Sequence, residues 1–593
     1  MLQSRQTQSP RRIASARLLM GPQERMLQLA AIIALRSVSN VFSRPHWRAD
    51  VRLPNLGLDR GEGMMTERVR AEELKEWLSG EDEIALLDVR EHGQYGERHL
   101  FFAVSLPYSR FELGLPALVP NTNTRLVLCD NADGVADRAA ARAATLGYRN
   151  LHVLSGGVEA WGSAGYTLYA GVNVPSKTFG ELVEHERHTP RLTAQELQAL
   201  REAGDDIVIV DGRTFAEFQK MNIPGGTCCP NGELALRVGD LAPDPKTKII
   251  VNCAGRTRSI IGAQTLIDFG VPNPVFALEN GTQGWFLAGL ELENGASRRY
   301  SDRSGPVDLG ARKERARILA TARGVAFVSA EQVNRWLQDT RRTTYLLDVR
   351  TPEEFAASSV PGFVHAPGGQ LVQATDQWIG TRGARIVLVD NEQVRAPMTA
   401  QWLRQLGHEA YVLEGGIAAA AGVVTPRPAS RSPRPDDCTA IAPLDLAQRL
   451  RSDDVLLIDL RSSTAYRKEH IGQALWSIRS RIAATATDRT KTVVLVTDQP
   501  GMAALAALDL QEAGFRDVRQ LAGSHEAARE AGLPVVATPD APTDEESIDF
   551  LFFTNGRHEG NADAARQYLA WEIGLVDQLD AQERATFSLP PSP

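Results

Sequence analysis

The stretches IALLDVREHGQY (residues 84–95), IVIVDGRTFAEF (207–218), TYLLDVRTPEEF (344–355) and VLLIDLRSSTAY (455–466) are one pattern written four times. Each is an apolar run, then Asp-x-Arg, then an aromatic residue five positions after the arginine: Tyr95, Phe218, Phe355 and Tyr466. Successive copies start 123, 137 and 111 residues apart. That period is a domain length, not a solenoid repeat. A second block follows each first: RLVLCDNADG (125–134), KIIVNCAGRT (248–257), RIVLVDNEQV (385–394) and TVVLVTDQPG (492–501). An Ala-rich amphipathic run comes next and ends at Gly147, Gly270, Gly407 or Gly514, the expected C-terminal stop of a helix.

Short apolar strands alternating with helices predict α/β domains, each a parallel sheet covered by helices on both faces. The chain reads as four of them in tandem, at 66–172, 190–298, 326–424 and 438–537. NGASRRYSDRSG (294–305) and TPRPASRSPRPDD (425–437) have the composition of linkers. Residues 538–593 read as a helical extension that packs against a neighbouring domain. Residues 1–65 are rich in Arg, Ser and Gln and carry no continuing periodicity. Three readings fit them: an over-extended start before Met64 or Met65, a disordered tail, or an organelle transit peptide.

The 593 residues are 43% hydrophobic and 23% charged, with a formal net charge of -8, which is ordinary globular composition. That charge, without a basic stripe, argues against nucleic acid or an anionic membrane as a partner. The longest apolar candidate, LQLAAIIAL (27–35), falls short of the roughly 18 residues that span a bilayer. Five cysteines, an odd and sparse set, do not form a disulfide framework, so a reducing cytoplasm is the expected location. No CxxC pair, HExxH or Gly-rich phosphate fingerprint is present, so no metal or cofactor is expected.

CAGRTRS (253–259) stands between the apolar strand ending at Val251 and a helix. A cysteine reacts as its thiolate, so a reactive Cys253 needs a lowered pKa. A strand-to-helix loop supplies this when the amides of Ala254 to Ser259 curl toward the sulfur at the positive end of the helix. Arg256 and Arg258 add charge that can hold an anion, and Gly255 is expected to permit the tight curl. Counted back from the helix-ending glycines, the position of Cys253 is taken by Asp130 and Asp390 in the first and third copies and by Thr497 in the fourth, or by Asp498 if that loop is one residue shorter. Cys129 lies one position early and is expected to be an inert core thiol.

Asp-x-Arg, IPGG (223–226), the CAGRTRS loop and ENGTQGW (279–285), in this order and spacing, resemble the rhodanese homology superfamily. Over residues 66–537 the chain resembles the tandem four-domain rhodanese-related sulfurtransferases of bacteria. The resemblance implies four rhodanese-like domains, of which only the second carries the catalytic cysteine. It implies transfer of sulfane sulfur from a small anionic donor such as thiosulfate to a thiol or cyanide through a Cys253 persulfide. Ala254, Gly255, Arg256, Thr257, Arg258 and Ser259 would bind substrate, and a protein could serve as the acceptor.

Two other readings stay open at this level. One is a non-catalytic persulfide carrier or scaffold that needs a partner enzyme. The other is a phosphatase or arsenate reductase of the same fold; those have Cys-x5-Arg, whereas Arg258 gives Cys-x4-Arg. Cys228 and Cys229, after IPGG, are either loop fillers or resolving thiols for Cys253. Asp211 and Arg213 recur in the copies without the cysteine, so they read as structural.

Overall fold

A computed structural model describes residues 66–301, 308–425 and 438–590. Residues 1–65 lie outside the described residues, and the three readings of that segment with them.

Four five-stranded parallel sheets follow one another along the chain. The first holds β1 (Glu67–Val69), β2 (Ile84–Asp88), β3 (Val104–Ser105), β4 (Arg125–Cys129) and β5 (Leu151–Leu154), in the order 1-5-4-2-3. The second repeats this with β6 (Arg191–Leu192), β7 (Ile207–Asp211), β8 (Thr227–Cys228), β9 (Lys248–Asn252) and β10 (Val275–Leu278). The third uses β11 (Ala326–Val328), β12 (Thr344–Asp348), β13 (Val364–His365), β14 (Arg385–Val389) and β15 (Glu409–Leu413). In the fourth, β16 (Thr439–Ile441), β17 (Val455–Asp459), β19 (Leu475–Trp476), β20 (Thr492–Val496) and β21 (Val518–Leu521) form the sheet. There β18 (His470–Ile471) pairs separately with β22 (Val535–Val536), antiparallel. Helices flank every sheet on both faces, which is why the central strands are apolar throughout rather than alternating. No helix among the described residues is long and apolar enough to cross a membrane.

The Asp-x-Arg motif is a latch. Arg213 donates to both carboxylate oxygens of Asp211 and, from Nη2, to the carbonyl of Met221, eight residues on. Arg90, Arg350 and Arg461 do the same with Asp88, Asp348 and Asp459, and each reaches the carbonyl eight residues on, at Arg98, Ser358 and Glu469. The pair ties the end of the strand to the end of the helix after it, and this buried bidentate pairing explains its recurrence in all four copies.

The second and third domains contact one another through reciprocal arginines. Arg258 of the second domain donates to Gln370 of the third at 3.3 Å, and Arg395 of the third donates to Glu233 of the second at 2.9 Å. Gln370 and Glu233 both stand twenty residues after their motif arginine, so this contact is a pseudo-twofold. Between the first and fourth domains, Arg479 grips Glu112 and Arg142 grips Asp509.

The C-terminal extension crosses all four domains. The Ile548 carbonyl accepts from the Gln94 amide of the first, and Asp549 accepts from the Ser463 amide of the fourth. Lys220 of the second pairs with Glu559, and Ser588 donates its amide to Gln405 of the third. In between lies the helix Ala562–Ile573.

Candidate active site

Cys253 follows β9 directly, at the carboxyl end of a central strand, where ligands bind in open parallel sheets. The helix Thr257–Phe269 starts four residues later and turns its N-terminus toward the loop. The loop is held from behind by the turn after β10: the Thr282 amide donates to the Cys253 carbonyl at 2.8 Å and the Gln283 amide to the Ala254 carbonyl at 3.1 Å. Gly281 has φ +52°, and a Cβ there would stand 2.2 Å from the Cys253 carbonyl oxygen. Only glycine lets the turn of ENGTQGW approach so closely.

Three expectations about this loop need correction. Cys253 is only 2% exposed, and its thiol is pushed up rather than down. Burial is the largest cause; the Arg258 charge and hydrogen bonding to Ser259 oppose it, and the Glu572 charge adds to it. Second, the arginines are not free. Arg256 donates to both oxygens of Glu181 at 2.7 Å and to Glu184. Arg258 takes both oxygens of Glu217 at 2.7 and 2.8 Å. Burial alone would raise Glu217, but Arg258 holds it down at about 2, so this pair stays ionised. Third, Gly255 is not among the positive-φ residues. A Cβ there would lie 3.1 Å from Glu572 Oε2, 3.2 Å from the Tyr568 ring and 3.4 Å from Gln283 Nε2. Its glycine answers to close packing by the C-terminal helix, not to a tight curl.

The remaining loop residues are engaged as well. Thr257 Oγ1 donates to Glu572 Oε1 at 2.6 Å, and Ser259 Oγ donates to the Arg256 carbonyl at 2.8 Å. Lys177, on the interdomain helix Val174–Arg187, reaches Tyr568 and Glu572. Asp211 and Arg213 sit below the loop: Asn252, the residue before Cys253, donates to Asp211 at 2.7 Å.

Cys228 and Cys229 are free thiols, 1% and 0% exposed. Cys228 packs with Phe218 and Ala296 and points its sulfur at the Arg213 carbonyl, and Cys229 lies in the core with Val210 and Leu234. Burial raises both thiols, Cys228 to about 12, which suits loop fillers rather than resolving nucleophiles. Cys129 is a core residue with a strongly raised thiol.

In the first and third domains an aspartate fills the cradle. Asp130 accepts the amides of Ala132 and Ala136 at 2.8 and 2.9 Å, and Asp390 those of Val394 and Arg395 at 3.1 and 3.0 Å. The Val158 and Ile417 amides donate to the Asp130 and Asp390 carbonyls as Thr282 donates to that of Cys253, so the three positions are equivalent.

Lys177, Glu181, Glu184, Glu217, Gln283, Gln370, Tyr568 and Glu572 were not singled out from sequence. Glu217 had a signal, since Glu354 occupies its place in the third copy, and Gln283 lies inside ENGTQGW. The others come from an interdomain helix, another domain and the extension, where no local pattern points to Cys253.

Rhodanese-like domains match this chain at residues 70–164, 193–288, 329–421 and 442–531. A crystal structure of a thiosulfate sulfurtransferase from Pseudomonas aeruginosa is 41% identical, with a TM-score of 0.80, and the match covers 89% of this chain and 100% of that one. Among curated proteins, an HTH-type transcriptional regulator of Mycobacterium tuberculosis is 33% identical over 111 residues, 19% of this chain and 48% of that protein. An uncharacterized protein of Synechocystis is 34% identical over 104 residues, 17% of this chain and 58% of that protein. The chain thus spans about half the length of the curated relatives it matches.

Proposed function

This chain belongs to the rhodanese-like domain family, and on that footing we propose that it is a sulfurtransferase in which Cys253 carries sulfane sulfur from an anionic donor such as thiosulfate to a thiol. The observation that carries this reading is the contrast among three equivalent loops. One places a cysteine where two others place an aspartate whose carboxylate takes up the loop amides. A loop that accepts a carboxylate in this way suits the terminal anionic sulfur of a persulfide.

In the first step the Cys253 thiolate attacks the outer sulfur of the donor. The donor's S–S bond breaks, with sulfite leaving if the donor is thiosulfate, and Cys253–S–S⁻ remains. In the second, an acceptor thiolate attacks the outer sulfur, the enzyme S–S bond breaks, and Cys253–S⁻ returns with the acceptor persulfide. Arg258 stabilises the anion in both states, since its charge acts on Cys253 even while paired with Glu217.

The burial of Cys253 and the pairing of both loop arginines favour a second reading, a persulfide carrier loaded by a partner enzyme. Intact mass before and after thiosulfate, with Cys253→Ser alongside, separates the two. A gain of one sulfur atom that a thiol removes, absent in the variant, is expected. No gain would reject thiosulfate as donor and turn the search to a protein persulfide.

A further inference from the structure

We propose that Glu572 and Gln283 form the substrate-selecting edge of the Cys253 site, and that this edge favours a thiol bearing a positively charged, hydrogen-bond-donating group over an anionic one. The proposal rests on the sulfur-transfer reading above and names the class of acceptor.

Two observations carry it. The first is a pair of buried acceptors without partners. Glu572 is 1% exposed and uses Oε1 for Thr257 and Lys177, while its Oε2 has no hydrogen-bond partner. Gln283 is 2% exposed and donates from Nε2 to the Ala254 carbonyl at 3.2 Å, which leaves Oε1 unpartnered. Both side chains converge on Gly255. A buried acceptor without a donor is costly, so this edge rewards a ligand that brings donors. Within Cys253–Ser259, Ala254 is the one part-exposed residue, so Gln283 binds the carbonyl beside the opening.

The second is the charge around the loop. Arg256 is matched by Glu181 and Glu184, Arg258 by Glu217, and Lys177 lies 3.4 Å from Glu572 Oε1. Glu184 is also paired with Arg191, and Arg557 lies over the Tyr568 ring, so the carboxylate oxygen of this group left without a hydrogen-bond partner is Glu572 Oε2. An ammonium there meets a partner in a buried, poorly screened setting, whereas a second carboxylate meets its own sign.

The step selected is the second half-reaction, Cys253–S–S⁻ plus R–S⁻ giving Cys253–S⁻ plus R–S–S⁻, with the thiol proton released to solvent beforehand. The full-length protein, loaded with thiosulfate, is discharged by cysteamine, neutral N-acetylcysteamine or 3-mercaptopropionate, each rate being divided by the thiolate fraction. Cysteamine is expected to exceed 3-mercaptopropionate by about tenfold or more, with N-acetylcysteamine between them. In Glu572→Gln the spread should collapse to about twofold. Gln283→Leu, which keeps the Lys177 contact intact, should lower the cysteamine rate alone and decides the matter if the first variant does not fold. Equal corrected rates in the native protein, or an unchanged spread in both variants, would overturn the proposal. Loading without preference rejects only this proposal, whereas failure to load Cys253 from any sulfur donor removes the sulfur-transfer reading and the proposal with it.

Discussion

The loop after β9 and the loop after β14 hold equivalent positions against the same kind of glycine turn, yet they place different side chains there. Asp390 turns its carboxylate onto the amides of Val394 and Arg395, and Arg395 is wholly buried among Glu233, Glu354 and Glu392. Burial lifts Asp390 to about 6, with Arg395 opposing. The third domain's cradle is filled by a carboxyl group of its own. In the second domain a thiol stands there, and the arginine one turn on is paired with a half-exposed Glu217 instead of a buried cluster. What separates the two loops is thus whether a carboxylate or a thiol stands in the cradle, not the backbone that forms it.

The comparison can be broken most directly by giving the second domain the content of the third. Cys253→Asp is expected to abolish sulfur loading, a loss of at least about 10³-fold in turnover, while unfolding stability stays within about 1 kcal/mol. A folded variant that still loads sulfur would show that another thiol is the carrier. A smaller effect is expected from Arg258→Ala, on the order of 100-fold in turnover, with Arg258→Lys restoring part of it. Equal activity in all three would mean that Arg258 only braces Glu217 and Gln370.

The pH dependence sharpens the same point. Burial and Glu572 both raise the Cys253 thiol, so alkylation followed at Cys253 by peptide mass should have its midpoint above that of an ordinary cysteine. Removing the Glu572 charge eases thiolate formation, so the midpoint in Glu572→Gln should move to lower pH. A midpoint that stays put would mean that Glu572 does not act on the sulfur. The smallest effect is expected at the neighbouring thiols: Cys228→Ala with Cys229→Ala should keep turnover within about twofold of the native protein. A large loss, with the fold intact, would restore the resolving-thiol reading.

Much of this was legible in the chain. The period-two silence of the central strands, apolar at every position, announced sheets covered on both faces, and the helix-ending glycines located Asp130 and Asp390 opposite Cys253. Asp211 and Arg213 were legible as structural because they recur where the cysteine does not. Gly255 was misread, since a glycine that makes room for another segment looks the same in sequence as one that bends the chain. The charges on Arg256 and Arg258 were visible, but their pairing with Glu181, Glu184 and Glu217 was not.

By itself the sequence determined the four sheets and the one copy that carries a cysteine in this loop position, because strand burial, helix stops and loop contents are written within a few dozen consecutive residues. Only the tertiary structure decided what surrounds that sulfur. Lys177 and Glu181 come from an interdomain helix, Gln370 from another domain and Glu572 from the far end of the chain. Contacts between residues 75 to 395 positions apart leave no periodicity to read, and they exist only because the domains and the extension pack where burial is greatest.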